Sequence, residues 1–283
     1  KSINYSGTLK DVHDLFKGDI INNKFNLNDR NDLRALGKIV IKLVRLCANP
    51  SLVLRDVYLI NSDLADALAE EGMGPKINQL LNDARSIMHD GNKVIIWSSF
   101  PDSIDQICDV LEAENFFPVK IHGKIPMGDD KSGYKDPGTR RHAIHEFKTN
   151  PKCMAFVANP MAAGEGISLH HVCRHAFYAD RSFNVAHYLQ SKDRIHRIGG
   201  DLSKEVIIKV YALHKMIDSR VNERLSEKTK TMSDFLNDRS ILTNFIDYDI
   251  DYDNSESEFL SGDMDIDLLK DDLKDVYNFL SEE

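Results

Sequence analysis

From Leu33 the chain sets apolar residues at helical spacing: Leu33, Leu36, Ile39, Val40, Leu43, Leu46 and Cys47. That period predicts an amphipathic helix, and Asn49-Pro50 predicts its end, because a proline disfavours helical geometry in the residue before it. A second helical stretch is predicted over 62–71, closed by Gly72 and Gly74. A third is predicted over 75–89, with Pro75 in the first turn, where its missing N–H is not needed. Ahead of them, residues 1–30 read as polar, Asn-rich and without clear periodicity.

After Gly91 the pattern changes. Val94-Ile95-Ile96-Trp97 is a short unbroken apolar run, the mark of a strand buried on both faces. A helical segment follows on Ile104, Ile107, Cys108 and Leu111, then a predicted strand over 119–122 and a loop rich in Gly, Pro and Lys as far as Gly138. Next come a predicted helix over 139–148, strands over 153–158 and 175–180, a helix over 184–198, a strand over 206–212 and a helix from Ile217. Strands alternating with helices imply the α/β class, a parallel sheet and right-handed crossovers. Ligands of such sheets gather at the carboxyl ends of the strands. Ser98, His122, Asn159 and Asp180 are the polar residues predicted there.

Composition bounds the function classes. The 283 residues are 42% hydrophobic and 29% charged, contain no apolar run long enough to span a bilayer, and begin without a signal-peptide pattern. Absence of an initiating Met predicts a fragment of a longer protein. Cys47, Cys108, Cys153 and Cys173 fit no C-x-x-C frame and sit in apolar runs, which predicts buried free thiols in a reducing, intracellular compartment. The net charge of −9 divides unevenly: residues 246–283 carry 14 acids against 2 Lys, so the rest carries 34 bases against 31 acids, or +3. A mildly basic body with an acidic appendage suits a protein that binds phosphates. The appendage alternates acidic and apolar residues from Ile246 to Tyr252, a pattern that seldom builds its own core. It reads as a flexible or partner-bound extension that contacts a basic protein partner or competes with a nucleic acid for the basic body.

The candidate chemistry is concentrated between Asn159 and Gly199. Gln190, Arg194 and Arg197, spaced by four and three, fall on one helix face, and the guanidinium fork suits phosphate oxygens. Gly164 and Gly166 would let backbone N–H groups approach a phosphate closely. Lys124, Lys131 and Lys135 in the Gly123–Gly138 loop could grip a nucleic-acid backbone without reading sequence. Two metal readings fail on spacing. His170-His171-x-Cys173-x-His175 splits its ligands between a turn and a strand, and Asp247, Asp249, Asp251 and Glu258 have Tyr252 where a calcium loop needs glycine.

These residues, taken in order, carry a resemblance. Gln190-x-x-Asp193-Arg194-x-His196-Arg197-Ile198-Gly199 resembles the sixth motif of the Swi/Snf-type ATPases of helicase superfamily 2. Lys93 to Phe100 is similar to their fourth motif, and His122-Gly123 with Arg141-x-x-Ile144-x-x-Phe147 to the segment after it. Ala163-Gly164-x-Gly166-Ile167-x-Leu169, with Asp180 and Phe183-Asn184, resembles the fifth. Leu43-x-Arg45-x-Cys47-x-Asn49-Pro50-x-Leu52 resembles the segment before the second lobe, and Val210-Tyr211-x-Leu213 with the next helix the closing brace. The wording departs at Asn159-Pro160 (usually Ser-Thr), Glu165 (Gly), Phe183-Asn184-Val185 (Trp-Asn-Pro) and Gly200 (Gln). Glu165 would repel a nucleic acid, and Pro160 removes an N–H donor.

The resemblance implies the second of two RecA-like lobes that close on ATP and Mg²⁺. The first lobe would supply the P-loop and the acidic box for Mg²⁺, and neither motif occurs in this sequence. The implied architecture is a RecA-like parallel sheet flanked by helices (76–215), after a helical insertion (1–75) and before a brace helix (216–245) and an acidic tail (246–283). The implied activity is ATP-driven translocation on double-stranded DNA, with the N-terminal lobe supplied in cis or as a separate chain. Arg194, Arg197 and Gln190 would be catalytic, and Gly164, Gly166 and Asp193 would bind ATP. Ser98, His122, Gly123, Lys124, Arg141, Asn159 and Asp180 would contact the nucleic-acid backbone. Alternatives are a non-hydrolysing DNA-binding or assembly module, and an RNA-acting or strand-unwinding helicase of the same superfamily.

Overall fold

The computed structural model describes residues 2–128, 134–163, 167–195, 205–236 and 266–282. Its centre is a five-stranded, all-parallel sheet: β2 (Val94–Trp97), β3 (Val119–Ile121), β4 (Ala155–Ala158), β5 (His175–Tyr178) and β6 (Ile207–Val210), in the spatial order β3-β4-β2-β5-β6. Strand β2 is central, with Trp97 in register with Ala158 on one side and Tyr178 on the other. Its side chains alternate between two cores, as the two-residue period of a strand requires. Val94 and Ile96 join Ile77, Leu80, Leu81 and Ala84 of α5 (Gly74–His89) and Ile104, Ile107 and Leu111 of α6 (Pro101–Ala113). Ile95 and Trp97 face Ala143 and Phe147 of α7 (Arg140–Thr149), together with Ile167, Leu169 and Ile195. Helices on both faces of a parallel sheet make the expected α/β architecture.

A separate apolar core lies in the N-terminal helices. Helix α2 (Arg30–Ala48) buries Leu33, Leu36, Val40, Leu43 and Leu46, and Asp29 caps its start by accepting from the N–H groups of Asn31 and Asp32. A 3₁₀ turn (Pro50–Val53), α3 (Leu54–Tyr58) and α4 (Ser62–Glu70) follow. The 1–30 segment, read as patternless, contains α1 (Gly7–Asn23), capped by Ser6 and buried through Leu9, Val12, Phe16 and Ile20. One apolar residue per turn in a polar sequence makes a narrow stripe, enough to seat a helix on a neighbour but too weak to announce it. Ahead of α1, β1 (Ser2–Ile3) pairs in parallel with β7 (Ala212–Leu213), so the predicted 206–212 strand divides between two sheets.

The C-terminal end departs most from expectation. Residues 266–282, assigned above to a flexible extension, form α10 (Ile266–Glu282) and bury Leu273, Val276 and Leu280 against α1, α2 and α9 (Ile217–Leu236). Burying each such side chain stabilises by about 1.5–3 kcal/mol. The acids of α10 meet bases of α9. Arg220 grips Asp275 through both Nε and Nη2, Lys228 Nζ donates to Asp272 at 2.5 Å, and Arg224 Nη2 donates to Asp272 at 3.3 Å. The alternating 246–252 stretch lies outside the described residues.

Candidate functional site

At the carboxyl edge of the sheet the strand ends are tied to one another. Ser98, the residue after β2, donates its hydroxyl to Asp180 Oδ2 at 2.6 Å, and the Ser99 N–H donates to Asp180 Oδ1 at 2.8 Å. Asn159, after β4, gives Nδ2–H to the Ser99 carbonyl at 3.0 Å and accepts at Oδ1 from Met161 N at 2.9 Å. Its own N–H reaches the Ile121 carbonyl at 2.8 Å. Ser98, Asp180 and Asn159 are 0%, 6% and 9% exposed. Three of the predicted nucleic-acid contacts therefore commit their side chains to each other's loops, where they fix the shape of the edge.

The other predicted contacts lie around the β3 end. His122 is buried, with Nε2 3.4 Å from Asp105 Oδ1. Gly123 and Lys124 are exposed, and Lys124 Nζ lies 3.3 Å from Asp102 Oδ1. Arg141 is half-buried in the first turn of α7. Arg140 was missed by sequence reasoning, yet it laces this corner. Its guanidinium donates to the carbonyls of Ile125 (2.8 Å), Gly123 (3.2 Å) and Ala162 (3.4 Å), joining the basic loop to the turn after β4. Basic residues adjoin in sequence there, and spacing alone gives no sign of which one turns inward.

All four cysteines are free and buried, and burial pushes the Cys153 thiol up to about 11 and Cys173 up to about 12. Cys173 Sγ donates to the Lys93 carbonyl at 3.1 Å. Among the described residues no three His, Cys, Asp or Glu side chains converge as metal ligands, and no helix is long and apolar enough to cross a membrane.

Residues 76–199 match the helicase conserved C-terminal domain family. The chain is similar to DNA repair protein rad8 of Schizosaccharomyces pombe, at 28% identity over 56% of this chain and 13% of that protein. It is also similar to the lymphoid-specific helicase of Homo sapiens, at 27% identity over 50% of this chain and 15% of that protein. The match thus spans 15% or less of either relative's length. In fold it resembles the Sulfolobus solfataricus SWI2/SNF2 ATPase C-terminal domain, with TM-score 0.58 and 16% identity over 83% of this chain and 87% of that one. The core of the Sulfolobus solfataricus SWI2/SNF2 ATPase in complex with dsDNA aligns at TM-score 0.59 and 16% identity, over 96% of this chain and 48% of that one. Residues 76–199 thus carry a helicase conserved C-terminal domain, with a fold like that of SWI2/SNF2 ATPase C-terminal domains.

The helix that resembles the sixth motif is α8 (Val185–Asp193), shorter in the described residues than the predicted 184–198. Asn184 caps it, accepting from the N–H groups of Ala186 (2.9 Å) and His187 (3.3 Å). Gln190 and Asp193 are exposed. Arg194 follows the helix, half-buried, with Nη1 donating to the Ile167 carbonyl at 3.3 Å and its own carbonyl accepting from Leu169 N at 3.0 Å. The sixth motif is thereby laid against the end of the fifth. Gly164, Gly166 and Arg197 lie outside the described residues. Arg181, also missed, sits beside Asp180 with its guanidinium 4.8 Å from the Tyr188 ring centroid, donating to Asn222 Oδ1 from Nε (2.9 Å) and Nη2 (2.5 Å). Burial lowers its pKa from the ordinary arginine value, as expected for a desolvated cation.

Proposed function

We propose that this lobe supplies the second half of a composite ATPase site and part of a track for double-stranded DNA. An N-terminal RecA-like lobe, in cis or as a separate chain, would hold the ATP and Mg²⁺. The observation that carries this reading is the junction of motifs. Arg194 is bonded to the 167–169 segment, and Gln190 stands exposed one turn earlier on the same helix. A helix fixed at its base can present a guanidinium and an amide to a phosphate held by the facing lobe. Charge developing on a transferred phosphoryl group is stabilised by such a donor, which is worth about 10³–10⁵ in rate. Because Arg194 Nη1 is directed to a backbone carbonyl, the roles divide: Arg194 positions the motif and Arg197 supplies the finger.

On the DNA side, the Gly123–Lys124 corner and the first turn of α7 with Arg141 would meet the phosphate backbone, while Ser98, Asn159 and Asp180 hold that edge rigid. The likeness to a core solved with duplex DNA supports a duplex as the polyanion. The test is made in the complete two-lobe protein. Arg197→Ala and Arg194→Ala are each expected to abolish DNA-stimulated hydrolysis while duplex binding persists, and Arg194→Lys is expected to restore part of the rate if Arg194 positions. Near-normal turnover in both alanine variants would overturn the proposal. Comparing stimulation by duplex DNA, single strands and RNA separates translocation on duplex DNA from strand unwinding. DNA binding without hydrolysis in the unmodified protein would assign it to the non-catalytic modules.

A further inference from the structure

The geometry points to α10 as a built-in ligand of the helical unit whose seating holds α8, the helix that precedes the proposed finger in sequence, in position, an inference that rests on the role proposed for that segment. Helix α8 is anchored in two different cores. At its start, Phe183 is buried among the N-terminal helices, with Val185 packed on the same cluster; past its end, Ile195 is buried under the sheet. Its orientation therefore depends on how the helical unit is packed, and α10 is part of that packing.

The connection can be followed atom by atom. Lys228 of α9 donates from the same ammonium to Asp272 Oδ2 of α10 (2.5 Å) and to the Phe183 carbonyl (3.1 Å), one residue before the Asn184 cap. Asp272 is 2% exposed, so this contact is poorly screened by solvent. Six residues earlier on α9, Asn222 accepts from Arg181, whose guanidinium lies over Tyr188 in the middle of α8. Two residues before Asn222, Arg220 grips Asp275 of α10. One helix, α9, thus holds α10 through Arg220 and Lys228 and the α8 segment through Asn222 and the same Lys228. Without Asp272, the Lys228 ammonium loses its carboxylate and is free to leave the Phe183 carbonyl. The helix would then lose a restraint at its capped end. An acidic amphipathic helix is the chemistry this surface accepts, since the bases Arg220, Arg224 and Lys228 stand beside the seats of Leu273, Val276 and Leu280.

Amide hydrogen exchange on the 283-residue chain tests this without nucleotide or DNA, so its outcome is independent of the ATPase proposal. Asp272→Ala and Lys228→Met are compared with wild type, and β2 and β4 report whether the fold is intact. Loss of one charge-assisted hydrogen bond should speed exchange over 185–193 roughly tenfold or more, with β2 and β4 unchanged. In Lys228→Met, α10 should stay protected through Asp275 and its apolar seat while α8 loosens. A chain ending after residue 265, which removes α10 entirely, should reproduce the α8 effect. Unchanged exchange in α8 in any of these variants would overturn the inference. So would acceleration spread evenly over α1, α2 and α8 in either point variant, which marks general destabilisation.

Discussion

Helix α9 is joined to the sheet domain through a buried ion pair, and that pair makes a quantitative prediction. Lys76, in the first turn of α5, and Asp218, in the first turn of α9, meet at 3.1 Å with side chains 2% and 11% exposed. Asp218 Oδ2 also accepts from the Leu213 N–H at 2.9 Å. Asp218→Asn keeps an acceptor for Leu213 but strands the Lys76 ammonium among apolar neighbours. Removing one partner of a buried pair typically costs about 3–5 kcal/mol, whereas replacing both with well-packed neutral groups is often close to neutral. Lys76→Met retains the volume of the lysine stem. The double variant Lys76→Met/Asp218→Asn should therefore recover most of the loss and lie within about 1 kcal/mol of wild type. Equilibrium urea unfolding of the four proteins measures the cycle, given an unchanged dependence on denaturant. If the double variant is as unstable as Asp218→Asn alone, the cost does not come from a stranded charge and the reasoning fails.

Gly74 has φ +78°, and a Cβ there would lie 2.7 Å from Pro50 Cγ and 2.8 Å from its Cδ. Gly74→Ala should lose about 1–3 kcal/mol in thermal or urea unfolding, and a neutral result would refute the clash. Burial tends to raise the Asp83 carboxyl, but hydrogen bonds from Tyr211, Lys209 and Gln79 bring it below its ordinary value. Its stabilising contribution is thus complete above about pH 4 and lost as pH falls through the lowered folded value, so Asp83→Asn should flatten the acid limb of stability against pH. An acid limb identical to wild type would reject that role. Burial also lowers His187, at the start of α8, where the positive helix end opposes a second charge and Asn184 Nδ2 lies 3.4 Å from Nε2. Its contribution is complete above about pH 6.5 and lost as pH falls through the lowered folded value; His187→Gln should remove that decline, and an unchanged pH profile would contradict it.

The sheet was legible because its strands are buried on both faces: all four residues of Val94–Trp97 are inaccessible, so the apolar run is continuous. The edge residues were legible for a topological reason, since every strand of a parallel sheet ends on the same side. What could not be read was their partnership. Ser98 meets Asp180 only because β2 and β5 are neighbours in register, a pairing that local pattern does not encode. The sequence placed the basic loop after β3 but not the inward turn of Arg140, because a side chain that turns back onto carbonyls looks the same in sequence as one that faces a ligand. Helix α10 was overlooked for another reason. Leu273, Val276 and Leu280 keep helical spacing, but they follow a stretch whose acid content dominates any compositional reading.

That oversight changes the electrostatic account of the protein. The net charge over residues 1–245 is +3, which suggests a basic body available to a polyanion. Arg220, Arg224 and Lys228 belong to that count, yet each faces Asp272 or Asp275 of α10. Their charge is neutralised within the chain, by the acids of α10. Among the described residues, the Gly123 loop and the start of α7 hold cations near the carboxyl edge of the sheet, and Lys124 already has Asp102 beside it. On the proposed reading, grip on a phosphate backbone would come from groups positioned by the strand-end network rather than from a broad basic field. This is why the rigidity conferred by Ser98, Asn159, Asp180 and Arg140 matters more to such a surface than its net charge: with few contacts available, each must be held where the next phosphate falls.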